Sequence, residues 1–243
     1  MVLITLGPAG TFSEMAAKSY YSNEKIVLKD SIADVFLALM QDESAKALLP
    51  FLNSTSGIIA ETILGLMKNK LYICSKHSLE ISYTLAGAAS ISSCKKLYVH
   101  PHAYMQCKKS LEDFKGEIVY TMSNSHSARF AKNDPSSLSL TTKEAAREND
   151  LPILKEKIKD KTDNTTYFGK VCRKLPDSSG KTLLLEFECQ SGLDALKSIL
   201  KDFELYFLED RKTAICEVPS ETDVDMLFSK TCKDTQCYIL GKY

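Results

Sequence analysis

Apolar positions along this chain switch repeatedly between a repeat of two and a repeat of three to four, and glycine, proline and polar turns punctuate the switches. The apolar run at residues 2–6 predicts a strand, and a helix over residues 13–21 follows the turn carrying Gly7, Pro8 and Gly10. Residues 25–28 read as a second strand. Residues 31–41, where Ile32, Val35, Phe36 and Leu39 recur at helical spacing, read as a second helix. The run 45–50, ended by Pro50, has the unbroken apolar character of a buried strand. Residues 57–68 follow as a helix with Ile58, Ile59, Ile63, Leu64 and Met67 inward, and residues 71–85 carry strand signals on both sides of Lys76-His77-Ser78. Beyond them, strands are expected at 96–99 and 117–121 and helices at 102–114, 125–132 and 141–148; a return strand at 167–172 comes after Ile153 and Leu154. Such alternation predicts an α/β fold with a largely parallel sheet.

The polar stretch 174–181 is rich in turn formers and predicts a linker. After it the order is β-α-β-β-α-β, over residues 182–189, 193–201, 204–208, 213–218, 222–230 and 236–240. That is the pattern of an α+β ferredoxin-like unit, with two helices on one face of an antiparallel sheet. Two domains are expected, residues 1–176 and residues 181–243.

Composition narrows the class. The chain has 243 residues, 31 basic and 31 acidic side chains and 44% apolar residues, a globular balance. A net charge near zero argues against nucleic acid or an anionic membrane as partner. No apolar stretch reaches the roughly 18 residues that span a bilayer, and no signal-peptide pattern opens the chain, so a cytoplasmic location is expected. The eight cysteines show no metal-site or redox-motif spacing and read as reduced thiols.

Two local features invite chemistry. Gly7 and Gly10 sit between the first strand and the first helix, with Thr11, Ser13 and Glu14 beside them. A turn of that kind gathers backbone N–H groups at a positive helix end, where a carboxylate or phosphate is stabilised, and Ser13 with Glu14 is placed to cap the helix. An ordinary strand–helix turn has the same composition. His100-Pro101-His102 sets two imidazoles two residues apart, but no third ligand stands nearby, and a proline starting a helix explains the segment better than a metal.

Four segments then occur in order: Leu6-Gly7-Pro8-Ala9-Gly10-Thr11-Phe12-Ser13, Pro50-Phe51-Leu52-Asn53-Ser54-Thr55-Ser56-Gly57, Val99-His100-Pro101-His102 with Gln106-Cys107, and Asn164-Thr165-Thr166-Tyr167-Phe168. In order and spacing they resemble the landmarks of prephenate dehydratases, over residues 2–172, and the trailing unit resembles that family's ACT domain. The resemblance implies two α/β lobes like a periplasmic binding protein, with the ligand in the cleft between them. It implies loss of carbon dioxide and a hydroxyl from prephenate, a dianion, to give phenylpyruvate in phenylalanine biosynthesis, with no cofactor. Thr166, Asn53 and Gln106 become the catalytic candidates, against plain readings as a strand threonine and, for Asn53, a helix cap. Gly10, Thr11, Phe12, Ser13, Ser54, Ser125, Ser127 and Phe168 become substrate-binding candidates. Cys107 matches the family's cysteine or is a small core residue.

Three positions depart from the family pattern: Leu52 stands for a glutamate, Val99 for a serine and Tyr167 for an arginine. If that arginine pairs with substrate, its loss costs about 2–5 kcal/mol. If it pairs with the glutamate instead, replacing both partners need not destabilise. In the C-terminal unit Gly192 and Leu193 are the candidates for a phenylalanine site, and the resemblance implies a homodimer or homotetramer. The alternatives are a relative that binds a small anion or amino acid without turnover, and an arogenate dehydratase.

Overall fold

The computed structural model describes residues 1–176, 182–187, 205–207, 213–219, 222 and 236–243. In the first lobe, β1 (Val2–Leu6), β2 (Lys25–Lys29), β3 (Lys46–Asn53), β5 (Tyr72–Glu80) and β11 (Thr165–Cys172) stand in the order β5-β11-β3-β1-β2. The strand β4 (Gly57–Ile58) pairs with the end of β3. Helix α1 (Phe12–Tyr20) covers one face, where Ala16 and Ala17 pack with Leu3, Leu48 and Phe168. Helices α2 (Ile32–Gln41) and α3 (Ala60–Asn69) cover the other, where Val35, Phe36, Leu39, Ile63 and Leu66 pack with Ile4, Ala47, Leu49 and Phe51. Because both faces are covered, β3 is apolar almost throughout, which is why its sequence shows no alternation. The two helices meet at Gly65, where a Cβ would stand 2.1 Å from the Phe36 ring.

The second lobe has β6 (Tyr83–Ala86), β7 (Lys96–Val99), β8 (Glu117–Tyr120), β9 (Ser137–Thr141) and β10 (Ile153–Ile158) in the order β10-β6-β9-β7-β8. Its helices are α4 (Pro101–Gln106), α5 (Asn124–Lys132) and α6 (Lys143–Glu148). The chain leaves the first lobe after β5 and re-enters it through β11, so β11 runs antiparallel to both β3 and β5. For the same reason β6 and β10 are antiparallel in the second lobe. Both sheets are therefore mixed, which corrects the expectation of a largely parallel one.

Three boundaries also differ from expectation. Strand β5 runs unbroken through Lys76-His77-Ser78. Helix α4 stops at Gln106 rather than continuing to residue 114, because the Asp160 carboxylate accepts the N–H groups of Lys109 and Ser110 (2.8 and 2.9 Å) and starts a separate turn at Lys109–Leu111. Strand β9, Ser-Leu-Ser-Leu-Thr, is buried along its whole length and had no predicted counterpart.

In the C-terminal unit β12 (Thr182–Phe187), β13 (Leu205–Phe207), β14 (Thr213–Val218) and β15 (Gln236–Lys242) are ordered β13-β14-β12-β15, all neighbours antiparallel. That is the strand arrangement of a split β-α-β unit. Gly241 of β15 lies alongside Ile73 of β5, and Ile215 and Leu240 join the apolar cluster of the first lobe. The helices expected at 193–201 and, apart from Thr222, at 222–230 lie outside the described residues, as do Gly192 and Leu193. Among the described residues no helix is long and apolar enough to cross a membrane.

Candidate active site

Where β3 and β11 end together, Asn53 faces Thr166 across the ladder. Asn53 is 5% exposed and all its polar atoms are engaged. Its Nδ2 donates to Thr166 Oγ1 (3.0 Å), Asn164 Oδ1 (2.9 Å) and the Thr165 carbonyl (3.2 Å). Its Oδ1 accepts the Thr55 and Ser56 N–H groups (2.9 and 2.8 Å) and so fixes the turn that follows. Ser54 does the same job from the rim: its hydroxyl donates to the Asp163 carbonyl (2.6 Å) and accepts the Thr165 N–H (2.9 Å). With Asn53 donating to it, the Thr166 oxygen is held in place while its own O–H stays available as a donor.

The network continues into the second lobe. Asn164, 2% exposed, donates from Nδ2 to Gln106 Oε1 (3.0 Å), and Tyr83 O–H donates to the same oxygen (2.9 Å). Burial pushes the Tyr83 phenol above its ordinary pKa, so it remains a proton donor. Thr166, Asn53, Asn164, Gln106 and Tyr83 thus form one chain of hydrogen bonds across the junction of the lobes. Among the described residues the Gln106 amide nitrogen has no partner. Gln106 and Asn164 line a cavity of about 370 Å3, with Thr55 and Ser56 from one lobe and His102, Met105 and Lys109 from the other. Lys161 and Asp160 complete it. Burial opposes ionisation of Asp160, but the N–H groups of Lys109 and Ser110 and the Ser110 hydroxyl hold its carboxyl below the usual range. Two lysines against one already solvated carboxylate make this wall suit an anion.

The glycine turn is arranged differently from expectation. Gly10 has φ +78°, and its N–H donates to Glu14 Oε2 (2.7 Å), so the turn's own carboxylate occupies the anion position. Thr11, not Ser13, caps α1, its hydroxyl accepting the Glu14 N–H at 3.5 Å. Ser13 is 6% exposed. Phe12 reaches the junction, its ring edge-on to Tyr83 at 5.4 Å between centroids. The turn docks on the second lobe: Thr142 Oγ1 donates to the Gly10 carbonyl (2.5 Å), the Ser125 hydroxyl to that of Ala9, and a Cβ on Gly10 would stand 2.9 Å from Ala145 Cβ. Two expected substrate-binding residues are packed away. Ser127 is fully buried and bonded to Thr121 Oγ1 (2.6 Å) and the Ser123 carbonyl (3.2 Å). Phe168 is core under α1. Cys107 is likewise buried, its thiol pushed up to about 12 by burial.

Of the three departures, Leu52 and Tyr167 face each other across the β3–β11 ladder, one rung beyond Asn53 and Thr166 and on the opposite face. Leu52 is core and Tyr167 packs against the same cluster. Lys76 Nζ sits 4.3 Å from the Tyr167 ring centroid and pairs with Glu217 of the C-terminal unit, which also accepts from Tyr243 O–H (2.8 Å). Val99 is fully buried in the second lobe. Sequence reasoning missed Asn164 and Tyr83. Asn164 lay inside a motif already noticed, and its burial beside a catalytic candidate is what marks it.

The family model of prephenate dehydratase matches residues 3–175. The prephenate dehydratase of Lactococcus lactis subsp. lactis (strain IL1403) is 30% identical over 173 residues, 69% of this chain and 62% of that relative's length. The match therefore leaves more than a third of that relative uncovered. Among solved structures, the prephenate dehydratase of Staphylococcus aureus subsp. aureus Mu50 superimposes with a TM-score of 0.79 at 18% identity, covering 100% of this chain and 99% of that one. That of Arthrobacter aurescens, solved in complex with L-Phe, gives 0.78 at 20% identity, covering 100% and 89%. At those identities the likeness is one of fold.

Proposed function

The chain belongs to the prephenate dehydratase family, and from that premise we propose that it converts prephenate to phenylpyruvate, carbon dioxide and water at the junction of its lobes. The observation that carries the proposal is the Thr166 hydroxyl, fixed by Asn53 Nδ2 at 3.0 Å with its own proton available. Hydroxide is a poor leaving group, and a donor in contact with it lets it depart as water while the carboxylate leaves as carbon dioxide. The electron pair of the breaking C–C bond then completes the aromatic ring. Donation from Asn53 also stabilises negative charge on Thr166 oxygen as its proton is given up. Lys109 and Lys161 supply positive charge for the dianion, and Gln106 offers its free amide nitrogen.

On the same reading, residues 1–176 are the catalytic unit and residues 181–243 a regulatory and subunit-pairing unit of a cytoplasmic dimer or tetramer. The Arthrobacter relative's L-Phe makes phenylalanine the ligand to try there.

The test is direct turnover. The full chain is incubated with prephenate, phenylpyruvate is followed by its ultraviolet absorbance in alkali, and Thr166→Ala runs in parallel. Production above the spontaneous rate that vanishes in Thr166→Ala supports the proposal. A folded protein with no turnover of prephenate overturns it, and turnover of arogenate alone would reassign the substrate.

A further inference from the structure

A second cavity, of about 510 Å3, opens on the first lobe and shares no lining residue with the one at the junction. Two half-buried cysteines line it, Cys74 on β5 and Cys172 on β11. The ladder between these strands skips Cys74: Lys170 faces Ser75 and Val171 faces Ile73. A residue bulged in this way is unpaired and its side chain is re-aimed. Cys74 Sγ points to the Lys170 carbonyl at 3.4 Å, and Cys172 Sγ to the Lys174 carbonyl at 3.0 Å.

The surroundings favour a thiolate at Cys74. Hydrogen bonding with the Cys172 side chain, together with the charges of Lys170 and Lys46, outweighs burial and holds Cys74 below the ordinary thiol range. Cys172, opposite Tyr72 on the ladder, is pushed up by its interaction with Cys74 and by burial. Opposite them, Tyr21 of α1 stacks under Lys170 (4.4 Å to the ring centroid) and its hydroxyl meets His77 Nε2 at 2.6 Å. Burial and Lys170 keep His77 below its ordinary pKa, and burial raises Tyr21, so both are neutral at pH 7. Arg173 and Glu43 close the wall, giving three cations against one carboxylate.

We propose that Cys74 and Cys172 form a thiol–disulfide exchange site for small disulfides that carry carboxylate groups. The Cys74 thiolate attacks one sulfur of the incoming disulfide, the S–S bond breaks and one half leaves as thiolate, giving a mixed disulfide on Cys74. With the charge on Cys74 gone, the part of the rise at Cys172 that comes from Cys74 is removed and only burial remains. Cys172 gives its proton to the departing half, attacks Cys74 and releases that half as a thiol. The two cysteines are oxidised by two electrons and the small disulfide is reduced to two thiols. This site is independent of the proposed dehydratase chemistry.

The probe is oxidised glutathione with the full chain at pH 6, remaining thiols being blocked and located by mass spectrometry. Because Cys74 is held below the ordinary thiol range, a larger share of it is ionised at that pH, and it should react several-fold faster than a free peptide thiol. The product expected is a Cys74–Cys172 disulfide. In Cys172→Ser the mixed disulfide on Cys74 should accumulate, and Cys107, fully buried, should stay unreacted. A neutral disulfide of similar size should react more slowly. If Cys74 in the unaltered chain reacts no faster than the peptide thiol, or the product disulfide omits Cys172, the site does not exist. The rate measurement needs no substitution, so a misfolded variant cannot obscure it.

Discussion

Asn53–Thr166 and Leu52–Tyr167 are neighbouring rungs of one ladder, and they have diverged differently from the family pattern. The first rung faces the lobe junction and retains the residues that the resemblance assigns to chemistry, tied into a buried hydrogen-bond network. The second faces the core, where the pattern's glutamate and arginine positions hold Leu52 and Tyr167 packed in one apolar cluster. Alternation of side chains along a strand separates the two rungs by face although they are adjacent in sequence. The two positions where the family pattern has charges are a cross-strand pair here, and this chain holds neither charge. Exchanging such a pair for apolar groups of similar volume is often neutral, whereas losing one partner strands a buried charge.

The largest effect is expected on the junction rung. Thr166→Ala should lower turnover by about 10²–10⁴-fold, the usual worth of a positioned proton donor, while unfolding temperature shifts little because the side chain is only partly buried. Thr166→Ser keeps the hydroxyl and should retain most of the rate. Equal loss in both variants would mean that the methyl group, not the proton, matters.

Next comes the core rung, read by stability rather than by rate. Leu52 is 1% exposed, so Leu52→Glu alone buries an unpaired carboxylate and should cost about 3–5 kcal/mol, or roughly 6–20 °C in unfolding temperature. Adding Tyr167→Arg should recover at least half. Tyr167→Arg by itself should leave KM for prephenate unchanged within a factor of about 3, since Tyr167 packs against the apolar cluster on the face opposite to Thr166. A tenfold or larger fall in KM would break the comparison and return that position to substrate binding.

How much of this was legible in the chain depends on where each residue's partner lies. Helix α2 was readable because its signal is local, the apolar spacing at Ile32, Val35, Phe36 and Leu39. Strand β9 was not, because its serines read as polar and only the fold shows them buried: Ser137 donates to the Asp134 carbonyl at 2.7 Å, and the buried Ser139 hydroxyl has no partner among the described residues. The site followed the same rule. Asn53, Gln106 and Thr166 were named through their motifs, and the fold joins them in one network; Tyr83 has no motif and enters that network by a contact spanning 23 residues. The glycine turn read as an anion site, whereas in the fold the Gly10 N–H donates to the chain's own Glu14. Phe168 and Ser127 carried the right residue types for binding and were turned inward by strand and helix geometry that spacing alone does not determine.

A smaller effect should follow from shortening the side chain that ties β3 to β11 and to Asn164 ahead of it. Asn53→Ala leaves Thr166 unoriented and strands Asn164 Oδ1 and the Thr55 and Ser56 N–H groups. A cost of about 1–3 kcal/mol in stability is expected, along with a fall in turnover smaller than that of Thr166→Ala, because the hydroxyl itself survives. If turnover falls while thermal unfolding does not move, Asn53 touches substrate directly rather than only positioning Thr166.

The smallest effect is expected at the far end of the network and separates a chain of contacts from a shared function. Tyr83→Phe removes one of two donors to Gln106 Oε1, and Asn164 Nδ2 still satisfies that oxygen at 3.0 Å. No buried acceptor is left alone, so the loss should be an ordinary hydrogen bond, about 0.5–1.5 kcal/mol, read as a shift of a few degrees in unfolding temperature. The ring keeps its edge-on contact with Phe12, so packing across the junction persists. Turnover should fall less than tenfold. A loss approaching that of Thr166→Ala would show that the Tyr83 proton is used in the reaction and that the chemistry extends into the second lobe, well beyond the rung that carries Thr166.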